Sequence, residues 1–151
     1  MRTVQDILSS KPQAFNTIQP DAKVIDAVGM LNAVNLSYLI VKEGEEYKGI
    51  FCERDYSRNV ILKGRSSDST TVKEVMTVDL PIVQLTYSAE HCMNVMNSYK
   101  TRYLLAYNDN KFAGVITIHD LLRQVIMNRE GVFDNSAAAK LIDYEEGGKI
   151  F

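Results

Sequence analysis

The sequence is short of the residues that mark several classes of protein. It has no tryptophan, two cysteines and three prolines in 151 residues. No apolar run approaches the roughly 18 residues that a membrane-spanning helix needs. The opening "MRTVQDILSSK" lacks the continuous apolar stretch of a signal peptide. We therefore expect a cytoplasmic chain with no membrane partner.

An excess of charge is also missing. Seventeen basic residues balance nineteen acidic ones, for a formal net charge of −2, and no Lys/Arg run forms the cluster typical of nucleic-acid binders. Nucleic acid is therefore not an expected partner. Two cysteines, Cys52 and Cys92, predict reduced, buried thiols rather than a disulfide framework. His91 and His119 are the only histidines, and no Cys/His spacing resembles a zinc site.

What the chain does contain is an internal repeat. A shift of 65 residues, the distance from Gly49 to Gly114, aligns one half with the other. The identical pairs include Gln19/Gln84, Asn32/Asn97, Tyr38/Tyr103, Leu39/Leu104, Gly49/Gly114, Asp55/Asp120 and Arg58/Arg123. The lead-ins "VQDIL" (4–8) and "VKEVM" (72–76) align at a shift of 68, so the first copy carries three extra residues in "SSKPQAFN".

Each copy predicts the same order of elements. A short strand, "FNTI" (15–18) or "PIVQL" (81–85), precedes a helix whose apolar residues recur at helical spacing. A hairpin follows: "YLIVK" and "YKGIFC" around "EGEE" in one copy, "YLLAY" and "FAGVIT" around "NDNK" in the other. A second helix then runs to a stop near Gly64 or Gly131.

Two such copies favour an α+β fold of two β-α-β-β-α repeats. Each copy is small, so we expect the two to pack together about a pseudo-twofold axis and to form two clefts. The predicted boundaries are residues 1–65 for the first repeat, 66–131 for the second and 132–151 for a helical tail. The segment "GRSSDSTT" (64–71) is the polar joint between the copies.

The doubled blocks "YLIVKEGEEYKGIFCERD" and "YLLAYNDNKFAGVITIHD", with their lead-ins, resemble a tandem pair of CBS domains, also called a Bateman module, of the small stand-alone type. The resemblance covers about residues 1–130. It implies a non-catalytic regulatory protein that binds an adenosine-containing ligand between the copies. AMP is the first choice, with ADP, ATP, NAD(H) and S-adenosylmethionine as alternatives. The resemblance also implies homodimers.

The motif residues have two open interpretations. Asp120 can accept hydrogen bonds from a ribose diol, and Thr117 with the start of the next helix suits a phosphate. Alternatively, Thr117 caps that helix and Asp120 lies in its first turn. In the first copy Asp55 is retained, but Cys52 replaces the hydroxyl residue. We interpret this as a lost cap and expect the two clefts to differ.

The resemblance adds further ligand-binding residues by position. Asn16, Leu36 and Ser37 are expected to face Asp120, and Thr101, Arg102 and Pro81 to face Asp55. Arg102 either contacts phosphate or is a solvated surface residue. Arg58 and Arg123 each follow an aspartate at i+3, which indicates a local ion pair or a phosphate contact. His119 is either a cleft residue or a polar residue of the first helical turn.

The leading hypothesis is a ligand-sensing module that signals through a dimer or partner interface to a protein that the sequence does not name. The alternative is a constitutive dimerisation scaffold with degenerate, empty clefts, suggested by Cys52. An enzyme is not indicated, since no nucleophile lies near a plausible base and no paired carboxylates share a helix face, so we predict no catalytic or metal-binding residues.

Overall fold

The computed structural model describes residues 2–12, 16–34 and 36–127. The elements follow the predicted order in both copies. In chain order they are α1 (Val4–Ser10), β1 (Thr17–Ile18), α2 (Val24–Val34), β2 (Tyr38–Glu43), β3 (Glu46–Cys52), α3 (Glu53–Asp55) continued by a π-helical segment (Tyr56–Ile61), α4 (Val72–Val75), β4 (Ile82–Gln84), α5 (Ala89–Tyr99), β5 (Tyr103–Asn108), β6 (Lys111–Thr117) and α6 (Ile118–Met127).

The chain divides into two compact units. The first-copy unit contains the described residues from 16 to 79, and the second-copy unit contains residues 2–12 together with 80–127. Helix α1 therefore belongs to the unit of the second copy, although its sequence lies in the predicted first repeat. The predicted repeat boundaries at 65/66 and 131/132 stay a prediction, and the compact units cross the first of them.

The two sheets have the same topology, with strand order β1-β2-β3 in one unit and β4-β5-β6 in the other. In each, the first strand runs parallel to the second, and the second and third form an antiparallel hairpin. Both hairpins turn over two residues, and the first of the two has a positive φ: 63° at Gly44 and 55° at Asp109. Glycine and aspartate are among the residues that tolerate this conformation best. The antiparallel pairing confirms the predicted hairpins.

Each unit buries its own apolar core between one face of the sheet and the helices. The first-copy core consists of Val24, Ala27, Leu31, Leu39, Val41, Phe51, Val60, Val72 and Val75. The second-copy core consists of Val4, Ile7, Val83, Ala89, Cys92, Met96, Leu104, Ala106, Ile116 and Leu121. The lead-in helices α1 and α4 thus contribute the equivalent pairs Val4/Ile7 and Val72/Val75.

Both lead-in helices begin in the same way. Thr3 and Asp6 form a capping box at α1, and Thr71 and Glu74 form one at α4. The hydrogen bonds from Thr3 and Thr71 lower the pKa of the Asp6 and Glu74 carboxyls. These caps satisfy backbone N–H groups that a short helix would otherwise leave without partners.

The lead-in helices explain why glycine occurs at the same position in both hairpins. A Cβ atom on Gly114 would lie 2.9 Å from Leu8 Cδ2, and one on Gly49 would lie 2.8 Å from both Met76 Sδ and the Thr77 carbonyl oxygen. Leu8 and Met76 are equivalent residues of the two lead-ins. The close approach at each glycine is therefore made by the chain's own lead-in segment.

The polar joint between the copies is part of the first-copy unit. The carbonyls of Thr70 and Ser67 accept the backbone N–H groups of Val24 and Ile25, at 2.9 and 3.0 Å. They thus satisfy two donors at the start of α2. Gly64 has a φ of 67°, and the bonds from Gly64 N–H to Ile61 O and from Arg65 N–H to Val60 O form the expected glycine stop.

Tyr99, the last residue of α5, and Met127, the last residue of α6, are both exposed. The predicted helical tail 132–151, the predicted helix end near Gly131 and Phe15 of the predicted first strand lie outside the described residues. No helix in the described ranges is long and apolar enough to cross a membrane.

Replacing Gly49 with alanine should destabilise the protein by about 1–3 kcal/mol, because the new methyl group meets backbone as well as a side chain. Gly114→Ala should cost less, since it meets only the end of the Leu8 side chain. The control is Gly29→Ala in α2, where a Cβ has nothing within 4 Å; it should be neutral or stabilise by up to about 1 kcal/mol. Urea unfolding measures all three, and equal effects at Gly49 and Gly29 would contradict the packing.

Candidate functional site

The second-copy junction between β6 and α6 contains the complete motif. Thr117 and Asp120 are buried, with 1% and 2% of their surface exposed. The Thr117 N–H donates to Asp120 Oδ2 at 2.8 Å, and the Asp120 N–H donates to Thr117 Oγ1 at 3.2 Å. These two bonds form a capping box, so the capping interpretation is confirmed. The ligand role of both residues stays a prediction.

Two cations contact the same carboxylate. The Lys11 ammonium donates to Asp120 Oδ2 at 3.0 Å and to the Val115 carbonyl at 3.0 Å. Arg123 Nη1 lies 3.4 Å from Asp120 Oδ1, which is the local i+3 ion pair that the sequence predicted. Lys11 comes directly after α1, so a residue of the predicted first repeat forms an ion pair with the buried aspartate of the second.

The first-copy junction between β3 and α3 has the same backbone plan with neutral partners. Asp55 is 5% exposed. Its Oδ2 accepts the Cys52 N–H at 3.0 Å and the Cys52 thiol at 3.3 Å, and its Oδ1 accepts the Thr77 hydroxyl at 2.7 Å. Cys52 makes no side-chain cap hydrogen bond, but the reciprocal bond of a capping box, from the Cys52 N–H to Asp55, is retained. A backbone N–H does not depend on the side chain, so Cys52 still donates to Asp55.

Lys11 and Thr77 are the site residues that sequence reasoning missed. Each follows a lead-in helix and reaches the motif aspartate of the unit in which that helix packs. Lys11 lies in the segment "SSKPQAFN", in which the first copy carries three extra residues, and Thr77 comes directly after "VKEVM". The alignment of the lead-ins was the available signal. It could not show which hairpin each lead-in covers.

The ligand-binding residues that were predicted before the strands lie at the same edge of the sheet as the motif aspartate of their own unit. In the second-copy unit, Pro81 precedes β4, and Thr101 and Arg102 precede β5. The Arg102 carbonyl accepts the Ile118 N–H at 2.9 Å, directly after the end of β6. In the first-copy unit, Asn16, Leu36 and Ser37 precede β1 and β2 and share an edge with Cys52 and Asp55. That each set faces the aspartate of the other copy stays a prediction.

The remaining site residues differ in burial. Arg102 and Arg58 are exposed, Leu36 and Ser37 are half-buried, and Asn16 is buried with its amide donating to the Tyr38 carbonyl at 3.4 Å. His119 is 9% exposed, and its Nδ1 has no hydrogen-bond partner among the described residues. Its polar atom is thus withdrawn from solvent beside Asp120.

Both cysteines are free thiols. Burial raises the pKa of the Cys92 thiol to about 11. Burial, together with the neighbouring Asp55 carboxylate, also raises the pKa of Cys52 to about 11. Cys52 is therefore a neutral thiol at pH 7. It contributes no charge to the first-copy junction.

The chain resembles known proteins in both sequence and fold. The sequence model of the CBS domain matches residues 72–126. A protein with CBS domains from Burkholderia ambifaria MC40-6 has a solved structure that superposes with a TM-score of 0.77 at 32% identity, over 87% of this chain and 99% of that chain. The chain belongs to the CBS-domain family.

Two further relatives of this CBS-domain protein are informative. It is 32% identical over 133 residues to the mitochondrial CBS domain-containing protein CBSX3 of Arabidopsis thaliana, covering 82% of this chain and 65% of that protein. The chain thus spans just under two thirds of that relative. The structure of CBSX2 in complex with AMP superposes with a TM-score of 0.68 at 20% identity, over 85% of this chain and 100% of that chain, which shows a shared fold. The predicted α+β fold and the regulatory CBS module are thereby established.

The Lys11–Asp120 ion pair should couple the two residues energetically. Lys11→Met removes a cation that contacts a buried carboxylate, and Asp120→Asn removes the charge with which the ammonium is paired, so each should destabilise the protein. The double variant removes both charges and should cost less than the sum, with a coupling energy of about 1–3 kcal/mol. Urea unfolding of the four proteins measures it. Additive effects would mean that the pair contributes nothing.

The raised pKa of Cys52 predicts slow alkylation. At pH 8 the folded protein should react with iodoacetamide at Cys52 far more slowly than the urea-unfolded protein, because only the thiolate is nucleophilic. With a pKa of about 11, the rate should rise roughly tenfold for each pH unit between pH 8 and pH 10. Peptide mass spectrometry follows the modification. Rapid modification of the folded protein at neutral pH would contradict the shift.

Proposed function

We propose that this CBS-domain protein is a regulatory module that binds an adenosine-containing nucleotide. AMP is the expected ligand, and ADP, ATP, NAD(H) and S-adenosylmethionine are the alternatives. The observation that carries the proposal is the repeated strand–helix junction, in which a buried aspartate follows the last strand of the sheet at the edge where the other two strands begin. The AMP complex of CBSX2, a protein of the same fold, supports this choice of ligand.

The junctions offer the chemistry that a nucleotide needs. An aspartate carboxylate can accept hydrogen bonds from the two hydroxyls of a ribose. Phosphate suits hydroxyl groups near the start of a helix, and Thr117 provides a hydroxyl at the start of α6. Arg102, exposed at the start of β5, is a cation at this edge.

Regulation requires that the ligand favours one of two arrangements of the protein. We propose that nucleotide binding acts on a homodimer interface or on a partner protein, and that the module works in the cytoplasm. The activity of any longer protein that contains such a module would follow from the domains attached to it, since this chain matches only part of its curated relatives.

A constitutive dimerisation scaffold is the second candidate. The observation that favours it is the saturation of both aspartates, since every carboxylate oxygen of Asp55 and Asp120 has a partner within its own unit. A scaffold needs these bonds for stability alone. It would show the same structure with no response to nucleotides.

A thermal shift assay separates the two candidates. Under the proposed function, AMP or another adenine nucleotide at about 100 times its Kd should stabilise the protein by about 2.7 kcal/mol, which raises Tm by roughly 5–10 °C for a chain of this size. GMP is the matched control for the base. If AMP, ATP, NADH and S-adenosylmethionine all leave Tm unchanged at millimolar concentration, the scaffold is the better description.

A further inference from the structure

We propose that Asp55, and not Asp120, is the carboxylate that takes the ribose diol, and that the Lys11–Asp120 ion pair is a structural tie that keeps the second junction closed to a diol. This inference rests on the proposed function and assigns its ligand to one of the two junctions. It reverses the ranking that the sequence favours, because the second copy has the complete motif and the first has Cys52 in place of the hydroxyl residue.

The partners of Asp55 can be exchanged for a ligand without separating charges. Among the described residues, its Oδ1 accepts the Thr77 hydroxyl alone, at 2.7 Å, and its Oδ2 accepts the Cys52 N–H and the neutral Cys52 thiol. A ribose hydroxyl donates the same kind of hydrogen bond as the Thr77 hydroxyl that it replaces, and the thiol is a weak donor that a second ribose hydroxyl replaces with a gain. The Cys52 N–H bond can persist.

The Thr77 side chain can leave without disturbing the fold. Its backbone is fixed to β3 by two bonds with Ile50, from Thr77 N–H to Ile50 O at 2.8 Å and from Ile50 N–H to Thr77 O at 2.9 Å. Rotation of one side-chain bond therefore frees Asp55 Oδ1 while the segment after α4 stays in place. Thr77 is half-buried, so its hydroxyl has access to solvent when it turns.

Asp120 cannot exchange its hydrogen-bond partners in this way. Its Oδ2 is held by the Thr117 N–H and by the Lys11 ammonium, which is also bound to the Val115 carbonyl. A diol that takes both oxygens must displace both Lys11 and Arg123 from a carboxylate that is 2% exposed. Separating a buried ion pair is costly, whereas exchanging neutral hydroxyls is nearly neutral.

The hydrogen-bond geometry at Asp55 therefore selects ligands by the hydroxyl groups of their ribose. A free 2′,3′-diol is required, so AMP should bind and 2′-deoxy-AMP should bind at least about tenfold more weakly, the effect of losing one hydrogen bond to a charged acceptor. Because Cys52 offers phosphate no good partner, adenosine should bind within about tenfold of AMP.

The test compares Asp55→Asn with Asp120→Asn by isothermal titration with AMP. Asparagine keeps the shape of the side chain and one acceptor but removes the charge. We expect Asp55→Asn to weaken AMP binding at least about tenfold and Asp120→Asn to change it by less than about threefold, although Asp120→Asn lowers Tm without ligand. If the latter variant does not fold, Lys11→Met/Asp120→Asn, which removes both charges together, replaces it.

The remaining outcomes are distinguishable. Loss of AMP binding in Asp120→Asn or its double variant, with retention in Asp55→Asn, overturns the inference and leaves the proposed function intact. Loss in both, or in neither, also overturns it, since neither result assigns the diol to Asp55 alone. Failure of the unaltered protein to bind any adenine nucleotide overturns the proposed function itself, and the inference with it.

Discussion

The contact between a lead-in helix and a hairpin glycine is the constraint on which the rest of the structure depends. Leu8 lies on Gly114 and Met76 lies on Gly49, at distances that leave no room for a Cβ atom. This contact places Val4 and Ile7, or Val72 and Val75, in the core. It also brings the chain after the helix to the strand–helix junction, where Lys11 reaches Asp120 and Thr77 reaches Asp55.

Much of the fold could be predicted because its signals are local. Alternating apolar residues around "EGEE" and "NDNK" define the hairpins, and the turn residues Gly44 and Asp109 adopt the positive φ that such turns need. The repeat then assigned a common order of elements to both halves. Hydrophobic periodicity shows which face of a helix is buried but not what covers it. The packing of α1 with the second copy therefore could not be inferred.

The candidate site was predictable to the same extent. The motif aspartates and their position at the start of a helix could be inferred from the spacing of "GIFCERD" and "GVITIHD". Their partners could not, because Lys11 lies far from Asp120 in sequence and Thr77 far from Asp55. These partners give two near-identical junctions different electrostatics: one carboxylate is neutralised by cations, and the other is held by uncharged donors.

The crossing of the lead-in helices also bears on how the two repeats can diverge. A side chain added at Gly114 can be accommodated by a smaller residue at position 8, whereas one added at Gly49 meets the Thr77 carbonyl oxygen as well as Met76. In both cases the neighbour lies in the lead-in segment of the opposite repeat. A substitution in the hairpin of one repeat therefore alters its contact with the lead-in of the other, so the two repeats cannot vary independently at these positions.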